Sequence, residues 1–230
     1  MLFGDARHND SQIIREKIEL LQKNGRYCRF NLSKEAYEKA EEIYKALTPM
    51  TAVGHDKIRL GAENDGGYIF LDNFLRDGAK FAYSFGISSY DPFSLDMMAY
   101  GYDVWQYDGT IEGPPYNHPR IHFKPFNISG EEYPRPNERN LRRIIEENGH
   151  RDATDIILQC DIEGCEWSML ENARTEDLIK FTQINIEFHD LHPFGNAWLR
   201  KLRLLKKLNE THQITHIHAN NAGGYTILKN

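Results

Sequence analysis

Apolar residues return every third or fourth position near the start of the chain, then give way to short apolar runs separated by turn residues. "SQIIREKIELLQKNG" sets Ile14, Ile18 and Leu21 on one helical face and ends at Gly25, a residue suited to a helix C-terminus. "SKEAYEKAEEIYKALTP" predicts a second helix, capped by Ser33 and stopped before Pro49. From residue 57 the period shortens. In "KIRLGAENDGGYIFLD" two strands, near 57–61 and 67–71, flank a glycine turn and form a small β-hairpin.

Beyond residue 80 strands alternate with helices. "KFAYSFGI", "YDVWQYD", "RIHFKPFNI", "TDIILQCDI", "FTQINIEFHD", "QITHIHANN" and "GGYTILK" read as strands. "PFSLDMMAYG", "NERNLRRIIEENG", "EWSMLENA" and "NAWLRKLRLLKKLNE" read as helices. This alternation predicts an α/β domain with a doubly wound, mostly parallel sheet over residues 56–230, preceded by a helical segment over 1–55. The two early helices either pack across the main domain, serve as a lid, or form a homo-oligomer contact.

Composition narrows the picture. With 230 residues, 40% hydrophobic, the chain can bury a real core. A net charge of −6, with acids interleaved among the arginines of "NERNLRRIIEENGHR", argues against a nucleic-acid surface. Cys28, Cys160 and Cys165 form no CxxC pair, which suits a reduced, cytoplasmic protein. The first residues lack the apolar core of a signal peptide, and no apolar run is long enough to span a membrane.

Ligands of doubly wound sheets bind outside the carboxyl ends of the strands, so the residues just past each strand carry the chemistry. After "YSF" come Gly86, Ser88 and Ser89, with Asp91 or Ser89 available to cap the helix that Pro92 starts. Asp108 ends the next strand, 22 residues after Gly86, where a carboxylate accepts from both hydroxyls of a ribose. "FGISSY" lacks the further glycines of a dinucleotide loop, so a ribose-bearing ligand without a pyrophosphate fits better than NAD; S-adenosylmethionine is the common one. "DIEGCE" places Asp161, Glu163 and Glu166 at one strand tip. Capping accounts for Glu166 and partly for Glu163, but not for Asp161. "NIEFHD" adds Glu187 and His189, and "HIHANN" adds His216, His218 and Asn220. Two roles suit this set: a general base that takes a hydroxyl proton, or a divalent metal held by Asp161, His189 and His218.

Together "RLGAENDGGYIFLD", "YSFGISSYDPFSLDMMAYGYDVWQYDGT", "DIEGCEWSML" and "IEFHDL" resemble the FkbM-type and related class I S-adenosylmethionine-dependent methyltransferases, over roughly residues 57–221. The resemblance implies a Rossmann-like sheet of seven strands and methyl transfer, typically to an oxygen of a sugar, nucleotide-sugar or small metabolite. It implies Gly86, Ser88 and Ser89 against the methionine part of the cofactor, Asp108 on the ribose, and Asp161 near the transfer centre, where the strand ends themselves add His189, His218 and Glu187 as catalytic candidates. On the acceptor side the candidates are Asp65 and Tyr68 of "DGGY", His192 of the "LHPFGN" loop, and Asn220. The chain departs from the family pattern in two places. Its glycine loop is poorer than E/D-x-G-x-G, and its final antiparallel hairpin is short, either minimal or cut off. N-methylation of a small amine, a nicotinamide-dependent oxidoreductase and a non-catalytic nucleotide-binding module remain as rivals.

Overall fold

The computed structural model describes residues 33–75, 80–192 and 197–219, the strand residues 28–31 and 225–228, and Glu16, Glu19 and Lys23. The helix expected over 11–25 lies largely outside the described residues. Strands are β1 (Cys28–Asn31), β2 (Lys57–Gly61), β3 (Gly67–Leu71), β4 (Phe81–Phe85), β5 (Asp103–Tyr107), β6 (Ile121–Lys124), β7 (Asn127–Ile128), β8 (Glu138–Arg139), β9 (Ile156–Cys160), β10 (Phe181–Ile186) and β11 (Tyr225–Leu228). Helices are α1 (Lys34–Ala46), α2 (Pro92–Ala99), α3 (Leu141–Glu147), α4 (Glu166–Asn172), α5 (Thr175–Leu178) and α6 (Trp198–Asn209).

Two compact units share the chain: residues 1–50, 191–205 and 214–230 in the first, residues 51–190 and 206–213 in the second. In the first unit Ser33 caps α1 by accepting from the Ala36 amide at 3.1 Å, and Lys39 lies 5.2 Å from the Trp198 ring. Here β11 pairs parallel with β1, so the expected terminal antiparallel hairpin is not what forms. β1 itself falls between the two helices expected in the first 55 residues. Residues 213–219, expected as a strand, have no regular structure. Residues 216–219 of that run are exposed, so they offer no apolar face to bury in a sheet. Asn220 lies outside the described residues.

The second unit is built on a five-stranded, all-parallel sheet in the order β10-β9-β4-β5-β6. Five strands among the described residues thus replace the expected seven. Numbered within the sheet, the order from β6 to β10 is 3-2-1-4-5, the Rossmann arrangement, and it reverses between β4 and β9. The single strand expected over "RIHFKPFNI" breaks at Pro125, which has no amide proton to donate, into β6 and β7.

One face of the sheet offers Ala82, Val104 and Ile157, each fully buried, to the hairpin β2–β3 and to α2 through Leu60, Phe70, Phe93 and Met97. Asp91 caps α2, its carboxylate accepting from the Ser94 amide at 3.1 Å, and Pro92 takes the first helical turn. The side chain of Gln183 docks the hairpin on β10: it accepts from the Leu71 amide at 2.7 Å and donates to the Leu71 carbonyl at 2.8 Å, as a strand would. The opposite face carries Tyr83, Phe85 and Trp105, and is closed by His150 just past α3.

His150 is 5% exposed, stacks on Phe81 at 4.2 Å and shares a 2.7 Å hydrogen bond between its Nδ1 and the Tyr83 hydroxyl. Burial, with the nearby His122, pushes its pKa down to about 4. The unfolded chain holds that proton up to pH ~6.5. The folded state is therefore at full strength above pH ~6.5 and loses up to about 3 kcal/mol from this group as pH falls through 4. Urea unfolding of the wild type and of His150→Phe at pH 7 and pH 4.5 checks this. The variant should lose markedly less stability across that window, and equal losses would contradict a buried neutral imidazole.

Candidate active site

The reversal of strand order brings the carboxyl ends of β4 and β9 side by side. Past β4 the chain enters Gly86 at φ +74°, and past β9 it enters Asp161, whose amide donates to the Phe85 carbonyl at 2.9 Å. A β-carbon on Gly86 would sit 1.6 Å from the Asp161 carbonyl oxygen. The glycine is thus required by the Asp161 backbone, whatever ligand lies beyond it. Ser88, at φ +51°, and Ser89 continue the loop on the exposed surface.

Asp108, one residue past β5, is 8% exposed and braces that loop. Its Oδ2 accepts from the amides of Ile87 and Ser88 at 3.1 and 2.8 Å. Its Oδ1 accepts from the amide and hydroxyl of Thr110 at 2.7 and 2.5 Å. Burial alone would raise its pKa, but these donors outweigh it and hold the carboxyl below its usual range. Four donors fill the roughly four acceptor positions of a carboxylate. A ribose at Asp108 must therefore displace one, and the rotatable Thr110 hydroxyl is the easiest to move.

Asp161 lies in the opposite environment. Burial, with the charge of Glu187 next, lifts its pKa to about 7, against the pull of His189. Its Oδ1 is buried and accepts no hydrogen bond among the described residues. His189 Nε2 stands 3.9 Å from that atom and 3.3 Å from Glu163 Oε2. Burial lowers the pKa of His189, but Glu166, Asp161 and Glu163 together raise it above its ordinary value.

Glu166, for which capping was a sufficient account from sequence, organises the corner. It is fully buried at the first position of α4, and its Oε1 accepts from the amides of Ile162 and Gly164, each at 3.1 Å. The same oxygen lies 3.0 Å from His189 Nδ1. An oxygen that already accepts twice leaves Nδ1 to bring the proton, so Nε2 is the nitrogen turned toward Asp161 and Glu163. Trp167, the next residue, donates from Nε1 to the His189 carbonyl at 2.8 Å and stacks on Phe188 at 4.5 Å, which fixes the loop after β10.

Beneath the corner runs a polar row that the apolar reading of the strands missed. Gln106, Ser84, Gln159 and Asn185 are register partners across β5, β4, β9 and β10. Ser84 Oγ lies 3.0 Å from buried Asp91 and 2.8 Å from Gln159, and Gln106 donates to Asp91 at 2.8 Å. Gln159 donates to the Tyr68 hydroxyl at 3.0 Å. Burial first, then the charges of Asp161 and Glu187, raise the pKa of that phenol, which puts Tyr68 beside the corner. Asp65 is exposed and accepts from the neighbouring Gly66 amide at 3.1 Å.

Of the residues expected from sequence, the second unit therefore gathers Gly86, Asp161, Glu187, His189 and Tyr68, with Asp108 bracing the adjoining loop. His192 and His218 belong to the first unit.

Comparison with known proteins gives two findings. Residues 15–220 match the family model described as the methyltransferase FkbM domain. A human protein named as a probable methyltransferase-like protein 24 is 29% identical over 118 residues, which cover 46% of this chain and 32% of that protein. The match thus spans about a third of the relative's length. No solved structure matches the chain.

The close approach at Gly86 yields a paired test. Gly86→Ala should cost about 3–5 kcal/mol, from the left-handed backbone plus the clash with Asp161. Gly101, at φ +85° with nothing within 4 Å of where a β-carbon would sit, shares the strain but not the clash. Its alanine variant should cost about 1 kcal/mol. Urea midpoints of the two variants measure the difference, and equal costs would remove the crowding from the account.

Proposed function

The chain belongs to the FkbM methyltransferase family, and from that premise we propose that it transfers the methyl group of S-adenosylmethionine to a hydroxyl of a sugar, nucleotide-sugar or polysaccharide precursor. The observation that carries this reading is the Asp161–His189 corner at the point where strand order reverses, next to a loop braced by Asp108. Gly86, Ser88 and Ser89 line the methionine portion of the cofactor, and Asp108 holds the ribose. Tyr68 and Asp65 of the hairpin face the acceptor.

The sulfonium donor is already activated, so the protein's work is alignment and proton removal. The acceptor hydroxyl gives its proton to the acidic corner of Asp161, Glu187 and His189. Its oxygen attacks the methyl carbon in line with the carbon–sulfur bond, and the bonding pair returns to sulfur to leave the neutral thioether. A corner rich in carboxylates also favours a cationic donor before transfer and releases a neutral one after it.

Thermal unfolding with S-adenosylhomocysteine, with NAD and with neither tests the cofactor. At 100 times its dissociation constant a ligand adds about 2.7 kcal/mol. For a chain of this size that should raise the midpoint by roughly 5–10 °C. We expect the shift with S-adenosylhomocysteine alone, retained in His189→Ala while methyl transfer falls at least about 100-fold. A shift with NAD alone overturns the reading.

A further inference from the structure

We propose that Asp161, Glu163 and His189 form a binding site for one divalent cation of the Mg2+/Mn2+ class, with Glu166 holding the histidine ligand from behind. One oxygen or nitrogen from each of the three lies within 4.8 Å of the others. Ligand atoms around an octahedral cation with bonds of about 2.1 Å stand about 3 Å apart. The 3.3 and 3.9 Å separations from His189 Nε2 are near that spacing, and the set closes on a cation by side-chain movement.

Three further observations separate this group from an ordinary surface cluster. Asp161 Oδ1, the atom facing His189 Nε2, is buried and accepts no hydrogen bond among the described residues. Glu166 is fully buried, and its Oε2 likewise has no hydrogen-bond partner among them. A buried acceptor left so is costly, and a bound cation relieves the charge that surrounds it. Thirdly, Glu166 fixes the imidazole through Nδ1, the carboxylate–histidine arrangement that supports metal ligands and aims Nε2 outward. Among the described residues, Asp161, Glu163 and Glu166 form their ion pairs with His189 and with no Lys or Arg.

Two carboxylate oxygens to one imidazole nitrogen favour Mg2+ or Mn2+ over softer metals, and neither Cys160 nor Cys165 joins the set. The cation's role, though not its binding, rests on the methyltransferase reading. It would hold the acceptor oxygen at an open position and sharpen its acidity, leaving Glu187, outside the ligand set, to receive the proton.

Chelator-treated protein titrated with Mn2+ and followed by loss of the free-ion EPR signal tests the site. One Mn2+ per chain is expected for the wild type. Glu163→Gln, at an exposed side chain that the fold does not need, and His189→Ala should each bind at least tenfold more weakly. Glu166→Gln should weaken binding roughly 10–100-fold while its metal-free unfolding midpoint shows that the domain is folded. Undetectable Mn2+ binding at millimolar concentration, or unchanged binding in His189→Ala, overturns the site. Full methyl transfer in excess chelator overturns the cation's role while the methyltransferase reading stands. Tight Mn2+ binding without any shift by S-adenosylhomocysteine supports the site and removes that reading.

Discussion

The second unit turns on the place where the Asp161 carbonyl occupies the volume that a side chain at position 86 would need. Here the ends of β4 and β9 approach so closely that position 86 has no room for a β-carbon. Once β4 and β9 are joined there, the direction of Asp161 is settled by the ladder bond to Phe85. The turn Ile162–Gly164 then has to fold over the sheet edge, where Glu166 collects its two free amides. Because that carboxylate also meets His189, the end of β10 is tied to the end of β9 through one buried oxygen. The loss of Gly86 would therefore reach His189 through the Asp161 backbone and the Glu166 carboxylate.

The floor under this corner is polar, which is unusual for the middle of a parallel sheet. Ser84, Gln106, Gln159 and Asn185 could have been aliphatic, and the core would then have been simpler. A hydrogen-bonded row inside low dielectric is costly when one member is missing and stiff when all are present. Its ends show what the stiffness serves. One end is Asp91, which caps α2 and whose pKa burial raises against the hydrogen bonds of Ser94, Gln106 and Ser84. The other is the Tyr68 hydroxyl beside the corner, reached through Gln159. The helix start and the hairpin phenol are thereby set by one continuous chain of side chains across the sheet.

Much of this was legible in the residues. The hairpin strands fall at 57–61 and 67–71 as the turn chemistry of "ENDGG" requires, and α2 starts where Asp91 and Pro92 dictate. The strand tips carry the acids that the alternation placed there. The polar row was readable too: "FAYSF", "DVWQY" and "IILQC" each carry an interior polar residue at the fourth position. Reading strands singly hides it, because the signal exists only when neighbours are aligned in register. Long-range pairing of the same kind put β1 out of reach, since four residues paired to a segment almost two hundred positions away leave no local period. At 213–219 the error ran the other way. Alternation of His216 and His218 imitates a strand, and their rings do lie nearly parallel 6.4 Å apart, but the backbone of that stretch takes no regular pairing.

Two aspartates end adjacent layers of the same site, each one residue past its strand, and their surroundings drive them in opposite directions. Asp108 is wrapped by amide and hydroxyl donors that favour the charged form, so it is a fixed anion built into a loop. Burial disfavours the charged form of Asp161, whose Oδ1 accepts no hydrogen bond among the described residues, and Glu187 adds a like charge beside it. Sequence position cannot distinguish them, because the difference comes from Thr110 and the loop amides on one side and from Glu187 and a bare oxygen on the other. Pairs of like groups whose environments pull them apart mark a division of labour. A satisfied carboxylate is a preset anion that takes a new donor only by exchanging one it already has. The unsatisfied one, with an aimed imidazole at its side, retains the free energy that a proton, a cation or a reacting hydroxyl must release on arrival.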